Sequence, residues 1–267
     1  MNTLTDTIQL PHRYTVEIHT DETPSNPFTD WDCEPPIAVW NLDSRRGNLE
    51  NYGGEELNLS TLAAFIPADK WSTRAGKRET IAALPFTLSE VAAEVRRVGN
   101  FRDALEDMLS DVKPSGWSRA ADYFETMEAV ATLAGIPCHS TQSNGYIQGD
   151  SALVFVAALP AWVEKVGASP ETLADQCKAA CDLWSAWAWG DVYGFVLNDP
   201  KGDQIDSCWG YYGHNHRKSG LLEAAEESAK RHRESRKADL LKRRAAAKVE
   251  RREAFFAACR DIITATP

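Results

Sequence analysis

At 267 residues, with 43% apolar and 25% charged side chains, the chain can bury a full-sized core and has the balance of an ordinary globular protein. A net charge of −10 for the whole chain sets its acidic part against nucleic acid and suits a basic protein partner or simply solubility, and six scattered cysteines lack the density of a disulfide scaffold, which points to a reduced, cytoplasmic setting. No apolar run approaches the roughly 20 residues needed to cross a bilayer, and the opening MNTLTDTIQLPHR lacks the basic-then-apolar order of a secretory leader.

Arg13 to His19 alternates, with Tyr14, Val16 and Ile18 on the side away from Arg13, Glu17 and His19, which is the period of a strand. Thr20 to Pro36 carries four prolines and Trp31 and reads as an irregular loop. Ile37 to Leu42 predicts a second strand, Gly53-Gly54 a break, and Leu57 to Ile66 a short helix. Residues 67–86, bracketed by Pro67 and Pro85, read as connecting structure. From Thr87 the period turns helical: Thr87 or Ser89 caps a helix with Val91, Val95 and Val98 on one face, followed by Phe101, Leu105 and Leu109. Lys113-Pro114-Ser115-Gly116 ends it, and Ser118 to Ala134 forms the next helix, closed by Gly135-Ile136-Pro137.

The second half reads strand, turn, strand: Ile136 to Gln142, a break at Ser143-Asn144-Gly145, and Ser151 to Leu159. Pro160 opens a short helix to Val166, and Ser169-Pro170-Glu171 starts a longer one running to Ala188. Trp184 to Gly213 then holds four of the nine tryptophans and three of the seven tyrosines. Trp184 and Trp187 share a helix face, Gly190 ends the helix, and Val192 to Leu197 and Gln204 to Tyr211 flank the turn formers Asn198 to Gly202 as a hairpin. This helix and hairpin are the expected centre of the core. Leu221 to Ala258, free of Pro and Gly and rich in Ala, Leu, Glu, Lys and Arg, predicts one long helix. Helices mixed with antiparallel hairpins, without βαβ spacing, give an α+β fold: a body over 1–219 with an aromatic core, and a long charged C-terminal helix over 220–267.

Charge is unevenly spread. Residues 220–267 hold 12 bases and 8 acids, a balance of +4, which leaves −14 for residues 1–219. Within the helix, Ala229 to Arg252 carries 11 bases against 3 acids, a balance of +8. A helix polar on all faces is either solvated or lies on a partner. Its candidate contacts are Lys230, Arg231, Arg233, Arg236, Lys237, Arg243 and Arg244, which could meet nucleic acid. The apolar end, Phe255, Phe256, Cys259, Ile262 and Ile263, should dock on the body or on a second copy as a homodimer. The segment Gly210 to Lys218 adds Tyr211, Tyr212, His214, His216 and Arg217 as residues that could stack bases or grip a protein, or could simply finish the core.

No residue set identifies a reaction. Cys177 and Cys181, with Cys208, His214 and His216, have zinc-ligand chemistry, but two thiols at mid-helix among alanines read as core cysteines. Cys138 and His139 are strand neighbours that point to opposite faces. Asp150, Asp191 and Asp206 lie at strand ends, where Asp usually caps turns. No phosphate-binding glycine motif occurs, so neither a cofactor nor a metal is expected.

Three segments carry a resemblance. They are Gln142 to Asp150 with Leu159-Pro160-Ala161-Trp162; Trp187-Ala188-Trp189-Gly190-Asp191-Val192-Tyr193-Gly194-Phe195 with Asp206 to Gly213; and Thr23-Pro24-Ser25-Asn26-Pro27 with Trp31-Asp32. They resemble a group of uncharacterised proteins carried by bacterial phages and plasmids, over roughly residues 13–42 and 117–225. The resemblance implies a mobile element in a bacterial cell and, by association, an inhibitor of host defence such as an anti-CRISPR protein. The resulting expectation is a cytoplasmic interaction protein that binds a host protein or ribonucleoprotein complex without catalysis and without a membrane. The alternatives are a nucleic-acid-binding module using the C-terminal helix, and an enzyme acting on nucleic acid or nucleotides.

Overall fold

The computed structural model describes residues 3–30, 35–41, 48–52, 56–113, 117–143 and 152–264. The expected Asn144-Gly145 turn, Asp150, the Gly53-Gly54 break, Pro114 to Gly116 and Trp31-Asp32 lie outside them. The fold is α+β, with two four-stranded antiparallel sheets among the described residues and a long C-terminal helix. The chain divides into two compact units. One comprises residues 21–192 and 212–216, and the other residues 1–20, 193–211 and 217–267. The C-terminal helix therefore groups with two pieces of the 1–219 body expected from the sequence.

In the second unit of the fold, the one formed by 1–20, 193–211 and 217–267, strand β1 (Thr3–Gln9) pairs with β2 (Thr15–Thr20). The larger unit begins with the short helix α1 (Pro27–Asp30), strands β3 (Ile37–Asn41) and β4 (Asn48–Tyr52), and helices α2 (Leu59–Ala63), α3 (Ala68–Ser72) and α4 (Arg74–Ala83). It continues with α5 (Leu88–Val98), α6 (Phe101–Asp111), α7 (Trp117–Ala134), strands β5 (Cys138–Ser143) and β6 (Ala152–Ala157), and helices α8 (Pro160–Val166) and α9 (Leu173–Trp189). The hairpin β7 (Val192–Asn198) and β8 (Gln204–Tyr212) and helix α10 (Leu221–Thr264) complete the chain.

The sheet of the larger unit runs β4-β3-β6-β5. Alternation on its central strands sends Ala38, Trp40, Leu153 and Phe155 to one face and Ile37, Val39, Val154 and Val156 to the other, and all are buried. Burial on both faces explains why β6 reads as an unbroken apolar run. Helices α2 to α7 cover the first face through Leu62, Trp71, Val91, Leu105, Phe124 and Met127, and α8 and α9 cover the second. Thr87 caps α5: its hydroxyl accepts from the Glu90 amide at 3.3 Å, and the Glu90 carboxylate accepts from the Thr87 amide at 2.7 Å.

Helices α3 and α4 replace the connecting structure expected over 67–86. A glycine in the first turn of α4 and a paucity of apolar positions hide them. Gly76 sits where a Cβ would lie 2.4 Å from the Asp69 carbonyl oxygen, and the buried Thr80 hydroxyl donates to the Gly76 carbonyl at 2.9 Å. Tertiary packing, not local propensity, holds this pair. Pro170–Thr172 forms a 3-10 turn before α9 rather than its first turn.

The other sheet runs β1-β2-β7-β8. Val16 opposite Leu197 and Ile18 opposite Phe195 form its buried face, closed by Leu10, Tyr14 and by Leu221, Ala225 and Ala229 of α10. Strand β1 escapes the sequence pattern because its composition, TLTDTIQ, offers little alternation, and its register shifts between Leu4 and Asp6. The single aromatic centre expected around Trp184 to Gly213 divides between the two units. Trp184 and Trp187 (ring centroids 5.1 Å apart) pack with Phe28 and Tyr52 in one, while Phe195 and Tyr211 pack in the other.

Candidate interaction surface on the C-terminal helix

Helix α10 is anchored at its start. Leu221, Ala225, Ser228 and Ala229 recur at helical spacing and are buried. Ser228 donates to the Asp206 carboxylate, the Tyr14 hydroxyl meets His232 Nδ1 at 3.0 Å, and Arg236 donates to Asp199 at 3.2 Å. Asp199 also accepts from the Lys201 amide at 2.7 Å and the Asp203 amide at 3.2 Å, so one carboxylate ties the β7–β8 turn to the helix. Those amides, with Arg236 and Lys201 adding attraction, hold its carboxyl below the usual range.

Beyond Arg236, every described side chain as far as Phe256 is exposed, including Leu240, Leu241 and Val249, each more than half exposed. Lys237 to Thr264 spans about 42 Å at 1.5 Å per residue. With 3.6 residues per turn, Lys230, Arg233, Lys237, Arg244, Lys248 and Arg251 fall within an arc of roughly 60° along about 32 Å. Ala238, Leu241, Ala245, Val249 and Phe256 form an apolar flank beside that stripe, and the Arg252 guanidinium lies 5.5 Å from the Phe256 ring centroid.

The stripe takes in Lys230, Arg233, Lys237 and Arg244 of the residues singled out from sequence. Arg231 and Arg243 face elsewhere, and Arg236 is engaged by Asp199. Lys230 lies 3.5 Å from Glu227. Counting charge along the helix did not reveal Lys248 and Arg251 as members; projecting the sequence onto a helix would have. Phe255, Cys259, Ile262 and Ile263 have side chains outside those described.

The residues of the 210–218 segment have structural partners. Tyr211 packs on Phe195, and burial followed by its contact with Cys208 raises the phenol above its ordinary range. The Tyr212 hydroxyl donates to the Ser25 carbonyl at 2.9 Å. His214 pairs with Asp191, and Arg217 with Asp6 at 2.7 Å. His216 opens a 3-10 turn, His216–Lys218.

The cysteines behave as core residues. Cys177 and Cys181 are fully buried in α9 and donate to the carbonyls of Pro137 (3.5 Å) and His139 (3.4 Å). Burial pushes Cys177 up to about 11 and Cys138 up to about 12, and raises Cys181 further, so all three remain thiols at neutral pH. Among the described residues no three His, Cys, Asp or Glu side chains converge to hold a metal. Asp191 and Asp206 each have a local partner, in different units. No helix among the described residues is long and apolar enough to cross a membrane.

Comparison with protein-family models, with curated proteins and with solved structures finds no match to this chain.

Proposed function

We propose that the protein is a mobile-element-encoded interaction protein that inhibits a host defence complex by binding it, with the distal part of α10 lying along the nucleic acid of a ribonucleoprotein target. The observation that carries this reading is the alignment of six cations on an exposed helix. Such a stripe matches a phosphate backbone and gains from counterion release. The choice of a host defence complex, such as a CRISPR effector in a bacterial cytoplasm, rests on the resemblance alone, carried by the WAWGDVYGF, DSCWGYYG and NGYIQGD segments and the weaker Thr23 to Pro27 segment.

The test is binding of labelled duplex and single-stranded nucleic acid across a salt series. Six stripe cations predict a slope of log K against log salt of about −5 for duplex and about −4 for single strands. Replacing Lys237, Arg244 and Lys248 by Gln halves that slope. Binding that ignores salt, or that survives the triple replacement unchanged, refutes the reading.

A further inference from the structure

We propose that a groove in the larger unit, between α4, α6 and α7, receives the basic distal helix of a second copy of this chain, so that the protein self-associates head to tail. The groove encloses about 690 Å³. Its floor is apolar: Leu84 and Tyr123 are buried, and Val112 and Ala129 half-buried. Asp122, Glu125, Thr126 and Ala129 stand 3, 4 and 7 residues along one face of α7, which puts two exposed carboxylates on the rim. Asp111 supplies a third, against the single cation Lys113. Among the described residues none of these three carboxylates pairs with a cation. Helices α4 and α6 both end at the groove, adding the negative ends of two helix dipoles.

The occupant follows from chemistry. An apolar floor beside an anionic rim takes a helix whose apolar flank adjoins a basic stripe. Distal α10 has that arrangement: Leu241, Ala245 and Val249 beside Arg244, Lys248 and Arg251. Bulk charge agrees, since the larger unit carries 26 acids and 13 bases, a net −13, against +8 for Ala229 to Arg252. Pairing of two such helices with each other would set +8 against +8. The acidic groove is the favoured surface.

Sedimentation velocity on the full chain, over a concentration series at low and high salt, tests this. Association that weakens with salt is expected. Asp122→Asn with Glu125→Gln should weaken it about tenfold, at roughly threefold per neutralised carboxylate. Leu241→Asp, or Arg244→Gln with Lys248→Gln, should weaken it at least as much. These positions are exposed, and circular dichroism checks that each variant folds. The decisive arm mixes a groove variant with a helix variant. Each retains one intact half, so dimers should form in the mixture but in neither protein alone. A monomer at every salt, groove variants that associate like the parent, or a mixture that stays monomeric overturns the proposal. Groove variants keep the nucleic-acid salt slope, so loss of that slope alone counts against the proposed function and not against this one.

Discussion

Gly194 of β7 lies under the ring of Trp209 from β8, and a single methyl group there is the sharpest test of how the smaller unit packs. A Cβ at Gly194 would lie 2.1, 2.3 and 2.8 Å from three ring atoms of Trp209. Carbon atoms rest at about 3.5–4.0 Å, so the indole would have to withdraw by roughly 1.5 Å. The backbone at Gly194 is ordinary strand, so the replaced residue meets no dihedral strain, and Gly→Ala itself should stabilise by about 0.4–1 kcal/mol through the unfolded chain. Overpacking costs about 1–3 kcal/mol. Gly194→Ala should therefore destabilise by about 1–2 kcal/mol with Trp209 present. In a Trp209→Ala background the same change should be neutral or stabilising. Because the chain forms two compact units, the cycle is best read from amide hydrogen exchange on β2 and β7 rather than from one melting curve. Equal effects of Gly194→Ala in both backgrounds would refute the account of glycine as clearance for the ring.

Thr87→Ala removes the side-chain half of the capping box on α5, leaving the residue-87 amide on the Glu90 carboxylate, and should cost about 1 kcal/mol in urea unfolding of the larger unit, whereas Thr87→Ser should cost little. Asp199 has its carboxyl lowered by the Lys201 amide first, with the Asp203 amide and Arg236 assisting. Its contribution is therefore present above the unfolded value near 4 and is lost as pH falls through the lower folded value; Asp199→Asn should flatten the acid limb of the stability profile. The thiols of Cys177 and Cys181, buried, and Cys138, half-buried, have the opposite slope. Raised folded values mean that the unfolded chain ionises first, so stability should fall as pH rises above about 8.5, and Cys181→Ala should shallow that fall. At pH 8, mass-spectrometric mapping of iodoacetamide adducts should find Cys208 modified and Cys138, Cys177 and Cys181 protected.

Where one physical signal dominated, the sequence was readable. Pro160 to Val166 behaves as expected because proline at the first helical position and Gly167 after the last leave no other boundary. The spacing of Trp184 and Trp187 announced a buried face, and both rings lie in it. Long-range pairing was not readable. Nothing in TLTDTIQ says that it will border β2, and nothing in VYGFVLN says that it will pair with residues about 180 positions earlier and not with the core around Trp184. The groove escaped for a related reason. One edge is the end of α4, which propensity conceals, and its acids, Asp111 of α6 with Asp122 and Glu125 of α7, look like ordinary solvated charge until the two helices bring them together.

Distal α10 also departs from what a merely solvated helix requires. An exposed helix gains about 0.2–0.5 kcal/mol from each opposite-charge pair four residues apart and loses a similar amount from each like pair. Arg233 with Lys237, Arg244 with Lys248, and Lys248 with Arg252 are all like pairs at that spacing. Ala245-Ala246-Ala247 and the buried turns at Leu221 to Ala229 keep the helix formed despite them. Interspersed signs would have served solubility and helix stability together. Aligning the cations instead sacrifices some of both, and an anionic surface laid along that face removes the repulsion.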